Sequence, residues 1–138
     1  MEVTLPPLYG LAVLEVVLYA MLLGWMGSRV MHARKKYGVP LPAAYENKPD
    51  SVFNRYQRAH QNSIEGAATF YITLLVSAIA TPVLSAVAGL AFIVGRYLYC
   101  TGYYNSLDGR KRGFMWGKYS TVVSVVVARV GGRVWCTV

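Results

Sequence analysis

Phe53-Asn54-Arg55-Tyr56-Gln57-Arg58-Ala59-His60-Gln61-Asn62-Ser63-Ile64-Glu65 is a dense polar run that passes, with no breaker between, into the apolar residues 66–80. Asn54, Arg58, Asn62, Glu65 and Thr69 follow one another at three or four residues, which puts them on one face of a helix. A soluble protein could carry such a stripe as a solvated surface. Here the same helix runs on into a hydrocarbon-like segment, so Arg58, Asn62 and Glu65 fall near or within a membrane boundary. A charge at the bilayer centre costs about 2.5–3.5 kcal/mol on the insertion scale, which turns such groups toward a protein interior or a wet cavity. This face is therefore a candidate ligand site.

The chain of 138 residues allows one domain, residues 1–138. Charged residues make up 14% of it, against about 25% in ordinary soluble domains. The mean hydropathy is +0.37. Apolar stretches of about 20 residues each cross a bilayer, and four of them use most of this length. The expected fold is an all-α integral membrane protein, a four-transmembrane-helix up-and-down bundle with spans at about 8–30, 51–80, 83–104 and 114–130. The net charge of +8 sits beside these spans. Juxtamembrane placement accounts for it, and no nucleic-acid motif accompanies it, so no nucleic-acid partner is expected.

The first span carries one acid, Glu15. It either pairs inside the bundle or faces a neighbouring polar group. Glu2 in place of a basic n-region, and the length of the apolar run, argue against a removable signal peptide. Arg29, Arg34, Lys35 and Lys36 at its end predict that the N-terminus is outside and the following loop cytoplasmic. Gly38, Pro40, Pro42 and Pro49 mark that loop, after which Asp50 or Ser51 caps the next helix. That helix, from about Ser51 to Ala80, would be roughly 45 Å long, so its polar first third projects from the cytoplasmic face. Thr81-Pro82 gives a short turn with proline in the first turn of the third span.

Ser85, Ala88 and Gly89 allow close helix approach in the outer half of that span. Its inner half carries Arg96, Tyr97, Tyr99, Tyr103 and Tyr104, and Arg96, Tyr99 and Tyr103 share a face. An interfacial aromatic belt explains the tyrosines but not Arg96; a polar pocket explains both. Asp108, Arg110, Lys111 and Arg112 then mark the cytoplasmic side again. In the last span Lys118 can snorkel to the interface and Arg129 ends the apolar run, leaving the C-terminus outside with the N-terminus. Cys100 and Cys136 fall at opposite faces, roughly 30 Å apart, too far for a disulfide within one chain. Cys100 reads as a packing residue, and Cys136 as a candidate for acylation.

The cytoplasmic end of such a bundle collects Arg34, Arg58, Asn62, Glu65, Arg96, Tyr99, Tyr103 and Arg110. Several guanidiniums imply an anionic ligand, because each offers a planar fork of donors to a carboxylate. Glu65 suits an ammonium. An amino-acid-like or peptide zwitterion with two carboxylates meets both demands, and an apolar second substrate would arrive from the bilayer. His32 and His60 lack a matching carboxylate or cysteine set, so no metal is expected. No phosphate-cradling glycine loop or serine nucleophile elbow occurs.

The Arg58-Ala59-His60-Gln61-Asn62-x-x-Glu65 core resembles the signature of the membrane-associated proteins in eicosanoid and glutathione metabolism (MAPEG). Val94-Gly95-Arg96-x-x-Tyr99-x-x-Gly102-Tyr103-Tyr104 is similar to their type 3 microsomal glutathione transferase branch. The resemblance covers most of the chain. It implies a four-helix bundle in the endoplasmic reticulum membrane assembled as a homotrimer, with glutathione as co-substrate between neighbouring subunits at a site that faces the cytoplasm. By the same resemblance Arg34, Arg58, Asn62, Glu65, Arg96, Tyr99 and Tyr103 hold glutathione, and Arg110 stabilises its thiolate. His60 stands where some relatives have glutamine, and Gly66 where leukotriene-forming relatives have tyrosine. The implied activity is glutathione transfer, or glutathione-dependent peroxidation, on membrane-dissolved lipophilic electrophiles or lipid hydroperoxides, leukotriene C-type conjugation among them. The alternative is a non-catalytic lipid-binding scaffold like the five-lipoxygenase-activating member of that family. A transporter is disfavoured by the lack of internal repeats or broken helices.

Overall fold

The computed structural model describes residues 4–111 together with Gly113 and Met115. The expected last span falls almost wholly outside the described residues, as do Lys118, Arg129 and Cys136. The described chain is helical, in the order α1 (Tyr9–Tyr37), α2 (Val52–Glu65), α3 (Ala67–Ala80) and α4 (Pro82–Asn105). Tyr9–Tyr37, Val52–Ala80 and Pro82–Asn105 are each long and apolar enough to cross a membrane. Leu14, Met21, Ile72, Val76, Val87 and Leu90 point outward from them, as surfaces that meet lipid should.

Helix α1 runs about two turns beyond the expected 8–30. Arg34, Lys35 and Lys36 form its last turn, where cations complement the exposed carbonyls, and Gly38 ends it. Gly38 takes a left-handed conformation (φ 67°) and its N–H donates to the Arg34 carbonyl, a stop that favours glycine. Of the two cap candidates for the next helix, Ser51 serves: its Oγ accepts from the Asn54 N–H at 3.2 Å.

The expected single helix from Ser51 to Ala80 is instead two helices that meet at Gly66. The backbone stays right-handed there (φ −81°, ψ −10°), and Gly66 still donates to Asn62 O at 3.4 Å and accepts from the Phe70 N–H at 3.1 Å. Val52–Ala80 thus remains one span with an irregular joint. The neighbour at the joint is Arg96, whose Nη2 would lie 3.1 Å from a β-carbon on Gly66. Thr81 then turns the chain, and Pro82 opens α4 at its first helical position, where a missing N–H costs nothing.

Tyr19 of α1 sits at the centre of the core with no exposed surface. Its ring meets Phe70 and Phe92 edge-on, with centroids 4.8 and 5.4 Å away, and its hydroxyl donates to the Ser63 carbonyl at 2.9 Å. Phe70 and Phe92 stack on each other at 4.3 Å. Each such aromatic pair adds about 0.5–1.5 kcal/mol beyond area burial. These contacts tie α1, α3 and α4 together, and the hydroxyl adds α2.

Ser85, Ala88 and Gly89 are buried, so the small-residue face of α4 does admit a neighbour. That neighbour is Glu15. It pairs with no cation among the described residues; its carboxyl lies directly against Gly89, and Leu74 Cδ1 would stand 2.8 Å from a β-carbon there. Gly89→Ala should therefore destabilise the bundle by about 1–3 kcal/mol through overpacking. Adding Glu15→Ala to the same chain should recover most of the loss, and denaturant titration of the three proteins in mixed micelles reads both effects.

Candidate functional site

The polar end of the bundle is built where the last turns of α4 face α2. Tyr99 and Tyr103 are each 3% exposed, whereas Tyr97 on the other side of α4 is 48% exposed. The inward pair therefore belongs to the interior, and only Tyr97 fits a belt at the interface. Tyr97 packs against Trp25 of α1, whose ring in turn carries the Arg29 guanidinium at 5.9 Å.

Four of the residues singled out in the sequence form one connected set. Asn62 of α2 donates from Nδ2 to the Tyr99 hydroxyl at 2.9 Å. The Tyr99 and Tyr103 rings lie 5.8 Å apart, and Arg110 donates from Nη1 to the Tyr103 hydroxyl at 3.3 Å. The Arg110 guanidinium also covers the Tyr103 ring at 5.2 Å. Asn62, Tyr99, Arg110 and Lys111 line a cavity of about 290 Å³. Lys111 is tied to Asp108 at 2.6 Å, so among the described residues of this turn Arg110 is the cation that reaches Tyr103.

Arg96 borders the set from the membrane side. Its guanidinium lies 5.2 Å from the Phe92 centroid and 5.5 Å from that of Tyr99, and its Nε is buried with no hydrogen-bond partner among the described residues. A half-buried guanidinium over two rings gains about 0.5–2 kcal/mol from each face. An orphaned donor remains available to a ligand.

The other three candidates stand elsewhere. Arg58 is exposed on α2 and lines a second cavity of about 300 Å³ with Tyr45, Asp50, Asn54, Arg55 and Tyr103, among others. Glu65 is exposed at the end of α2 and accepts from Gln61 Nε2 at 3.1 Å. Arg34 is turned to the loop: its Nη1 donates to the carbonyls of Val39, Pro40 and Ala43 at 3.3, 3.4 and 2.7 Å, and its guanidinium lies over Phe53 at 4.8 Å. Within this chain Arg34 fastens the α1–α2 loop and lines neither cavity.

Sequence reasoning passed over the clamp that holds this loop against α2. The Asn54 side chain accepts from the Glu46 N–H and donates to the Glu46 carbonyl, both at 2.7 Å. Ser51 Oγ donates to Glu46 Oε2 at 2.7 Å, and Lys48 pairs with the other carboxylate oxygen. Tyr45 in turn donates its hydroxyl to Gln61 Oε1. The paired prolines masked this order, because they read as a loop without indicating what the loop binds.

A sequence model of the MAPEG family matches residues 12–130. An uncharacterized protein of Synechocystis sp. is 38% identical over 100 residues, which are 72% of this chain and 71% of that protein. Microsomal glutathione S-transferase 2 of Homo sapiens is 38% identical over 87 residues, 62% of this chain and 57% of the human protein. The match therefore spans little more than half of the human protein's length.

Hydrogen bonds from Lys48 and Ser51 hold the Glu46 carboxyl below the usual carboxylate range. A depressed folded value contributes stability above the unfolded pKa of about 4.3, and the contribution is lost as pH falls through the folded value. Wild type should therefore melt above Glu46→Gln at neutral pH, by a small margin because the pair is exposed. The gap should close below about pH 4. Paired melting curves in detergent across that range read the crossover.

Proposed function

Because the chain belongs to the MAPEG family, we propose that it is a membrane-bound glutathione transferase, with glutathione-dependent peroxidase action on lipid hydroperoxides as a companion activity. The chain is an integral membrane protein with three described spans. In the proposed assembly a fourth span near 114–130 completes a single four-helix domain, both termini face away from the cytoplasm, and three copies form the functional unit. Glutathione would bind at the polar end, on the cytoplasmic side of the endoplasmic reticulum membrane. The motif from Val94 to Tyr104 supports the type 3 branch.

The observation that carries this reading is the convergence of Asn62, Tyr99 and Arg110 on one cavity, with Tyr103 bonded to Arg110 and Arg96 behind Tyr99. The cavity of about 290 Å³ lies at the lower end of the range for small-molecule sites. Arg58 and Arg96 offer donors to the carboxylates of glutathione, Glu65 an acceptor to its ammonium, and Asn62 a peptide-like partner. Arg34, fastened to its own loop in this chain, would serve a site completed by a neighbouring copy.

Arg110 takes the catalytic role. A thiol near pKa 8.5 is only a few per cent ionised at neutral pH, and the thiolate is the nucleophile. Each unit of depression requires about 1.4 kcal/mol of preference for the anion. A guanidinium held against the Tyr103 ring and hydroxyl supplies it without reorganisation at the moment of reaction. The thiol proton leaves to solvent. The thiolate then attacks a carbon of a membrane-dissolved epoxide or other electrophile, and in the epoxide the C–O bond breaks and its oxygen takes up a proton. With a hydroperoxide the sulfur attacks the terminal oxygen, the O–O bond breaks, and the alkoxide takes up a proton and leaves as the alcohol; the thiol of a second glutathione then attacks the sulfenic sulfur, giving the disulfide and releasing water.

Arg110→Ala should lower turnover with glutathione and a lipophilic electrophile by roughly 10- to 1000-fold while glutathione still binds. Rapid mixing of detergent-purified protein with glutathione near neutral pH should give an ultraviolet thiolate band that the variant lacks. Equal turnover in the two proteins would reject the role of Arg110. Failure of glutathione to raise the melting temperature of wild type would favour the lipid-binding scaffold.

A further inference from the structure

The segment after α4 returns directly along the helix it has just left. Ser106 ends α4 in an extended conformation, and its hydroxyl accepts from the Gly109 N–H at 2.9 Å. Lys111 N–H then donates to Asp108 O at 3.0 Å. Three glycines make this reversal possible. A β-carbon on Gly102 would overlap the Gly109 carbonyl, with its carbon 2.8 Å away. A β-carbon on Gly109 would overlap the Gly102 carbonyl in the same way. A β-carbon on Gly113 would strike the backbone of Tyr99 and lie 2.6 Å from Gly95 O. Backbone thus rests on backbone, where side chains would hold the two segments apart. These obstacles are main-chain atoms, of the turn for Gly102 and of α4 for Gly109 and Gly113, and cannot swing away as the end of a flexible side chain can.

Arg110 follows Gly109, and its reach to Tyr103 is limited by where Gly109 lies. We infer that the Gly102–Gly109 contact is a positioning element, which holds the Arg110 guanidinium over Tyr103 and so sets how strongly a bound thiol is ionised. The inference rests on the proposed role of Arg110. Alanine at 102 lifts the turn off α4 and carries Arg110 away from Tyr103 and the cavity. It leaves Asn62 bonded to Tyr99 and Arg96 against Tyr99, so a ligand held by those residues still binds. A small misplacement suffices, because an electrostatic stabiliser works only at the position where charge develops.

The test compares Gly102→Ala, Ser106→Ala, Arg110→Ala and the double variant Gly102→Ala/Arg110→Ala with wild type, using glutathione itself as probe. Gly24→Ala serves as a neutral helix-glycine control, since a β-carbon there meets nothing within 4 Å among the described residues. Gly102→Ala should bind glutathione within about twofold of wild type, lose roughly tenfold in kcat, and form thiolate only at a pH about one unit higher. Loss of folded protein alone would lower the amplitude without moving that pH profile. Ser106→Ala adds no volume and frees the Gly109 N–H, so it should shift the profile in the same direction by less, and it decides the matter if Gly102→Ala does not fold. The double variant should be no slower than Arg110→Ala, because both changes remove one effect. A wild-type pH profile in Ser106→Ala and Gly102→Ala, or additive losses in the double variant, would overturn the inference while leaving Arg110 in its role. Turnover unchanged in Arg110→Ala would remove the premise instead, and is distinguished by that single variant.

Discussion

Arg96 lies in the span Pro82–Asn105, and a guanidinium at that depth constrains everything around it. Such a group costs several kcal/mol against lipid unless it faces protein or water. The chain answers with two aromatic faces, Phe92 and Tyr99, and with a missing side chain, Gly66, on the facing span. The interruption between α2 and α3 falls at that glycine. A β-carbon there would be tighter against Arg96 Nη2 than ordinary packing permits, so the joint and the charge belong together. The same requirement turns Tyr99 inward, where its hydroxyl becomes the acceptor for Asn62.

Tyrosine is the working material of the polar end because one ring serves two purposes. Its face packs on a cation or a neighbour and its hydroxyl fixes a polar partner. Tyr99 does this for Arg96 and Asn62, and Tyr103 for Arg110. Tyr19 repeats the pattern deeper in the bundle, with Phe70 and Phe92 on its ring and the Ser63 carbonyl on its hydroxyl. Tyr103 borders the Arg58 cavity and is bonded to Arg110, which lines the other, so one side chain links the two polar spaces. Displacing it would disturb both.

The three described spans were legible in the sequence because hydropathy and proline are strong signals over twenty residues. The Ser51 cap, Pro82 at the start of α4 and the inward face of Ser85, Ala88 and Gly89 all follow from local chemistry. The grouping of Asn62 with Tyr99, and of Arg96 with both Tyr99 and Tyr103, was legible as helical spacing on two facing helices. What spacing does not encode is the meeting of distant segments. Gly66 looked like the first residue of an apolar run, and only the presence of Arg96, thirty positions on, makes it a joint. Arg34 had the right charge at the right end, but the nearby carbonyls of Val39, Pro40 and Ala43 claim its donors in this chain. Loop carbonyls carry no sequence mark, since every residue has one.

The balance of charge at the polar end gives that architecture its chemical direction. Among the described residues the ion pairs are Lys48 with Glu46 and Lys111 with Asp108, both on loops and both exposed. They neutralise the cations beside the site and leave its own arginines out. Arg96 and Arg110 meet tyrosines and, among the described residues, pair with no carboxylate, while the Arg58 cavity sets one acid, Asp50, against Lys48, Arg55 and Arg58. Aromatic faces offset part of the desolvation of a guanidinium but leave its in-plane donors unsatisfied, as the buried Arg96 Nε is. An arrangement of that kind gains most from a ligand that brings its own anionic groups, and more so as the site closes away from water. The surplus of cations over acids is thus a property of the site, not merely of the chain's net charge, and it favours an anionic ligand over a neutral lipid at this end of the bundle.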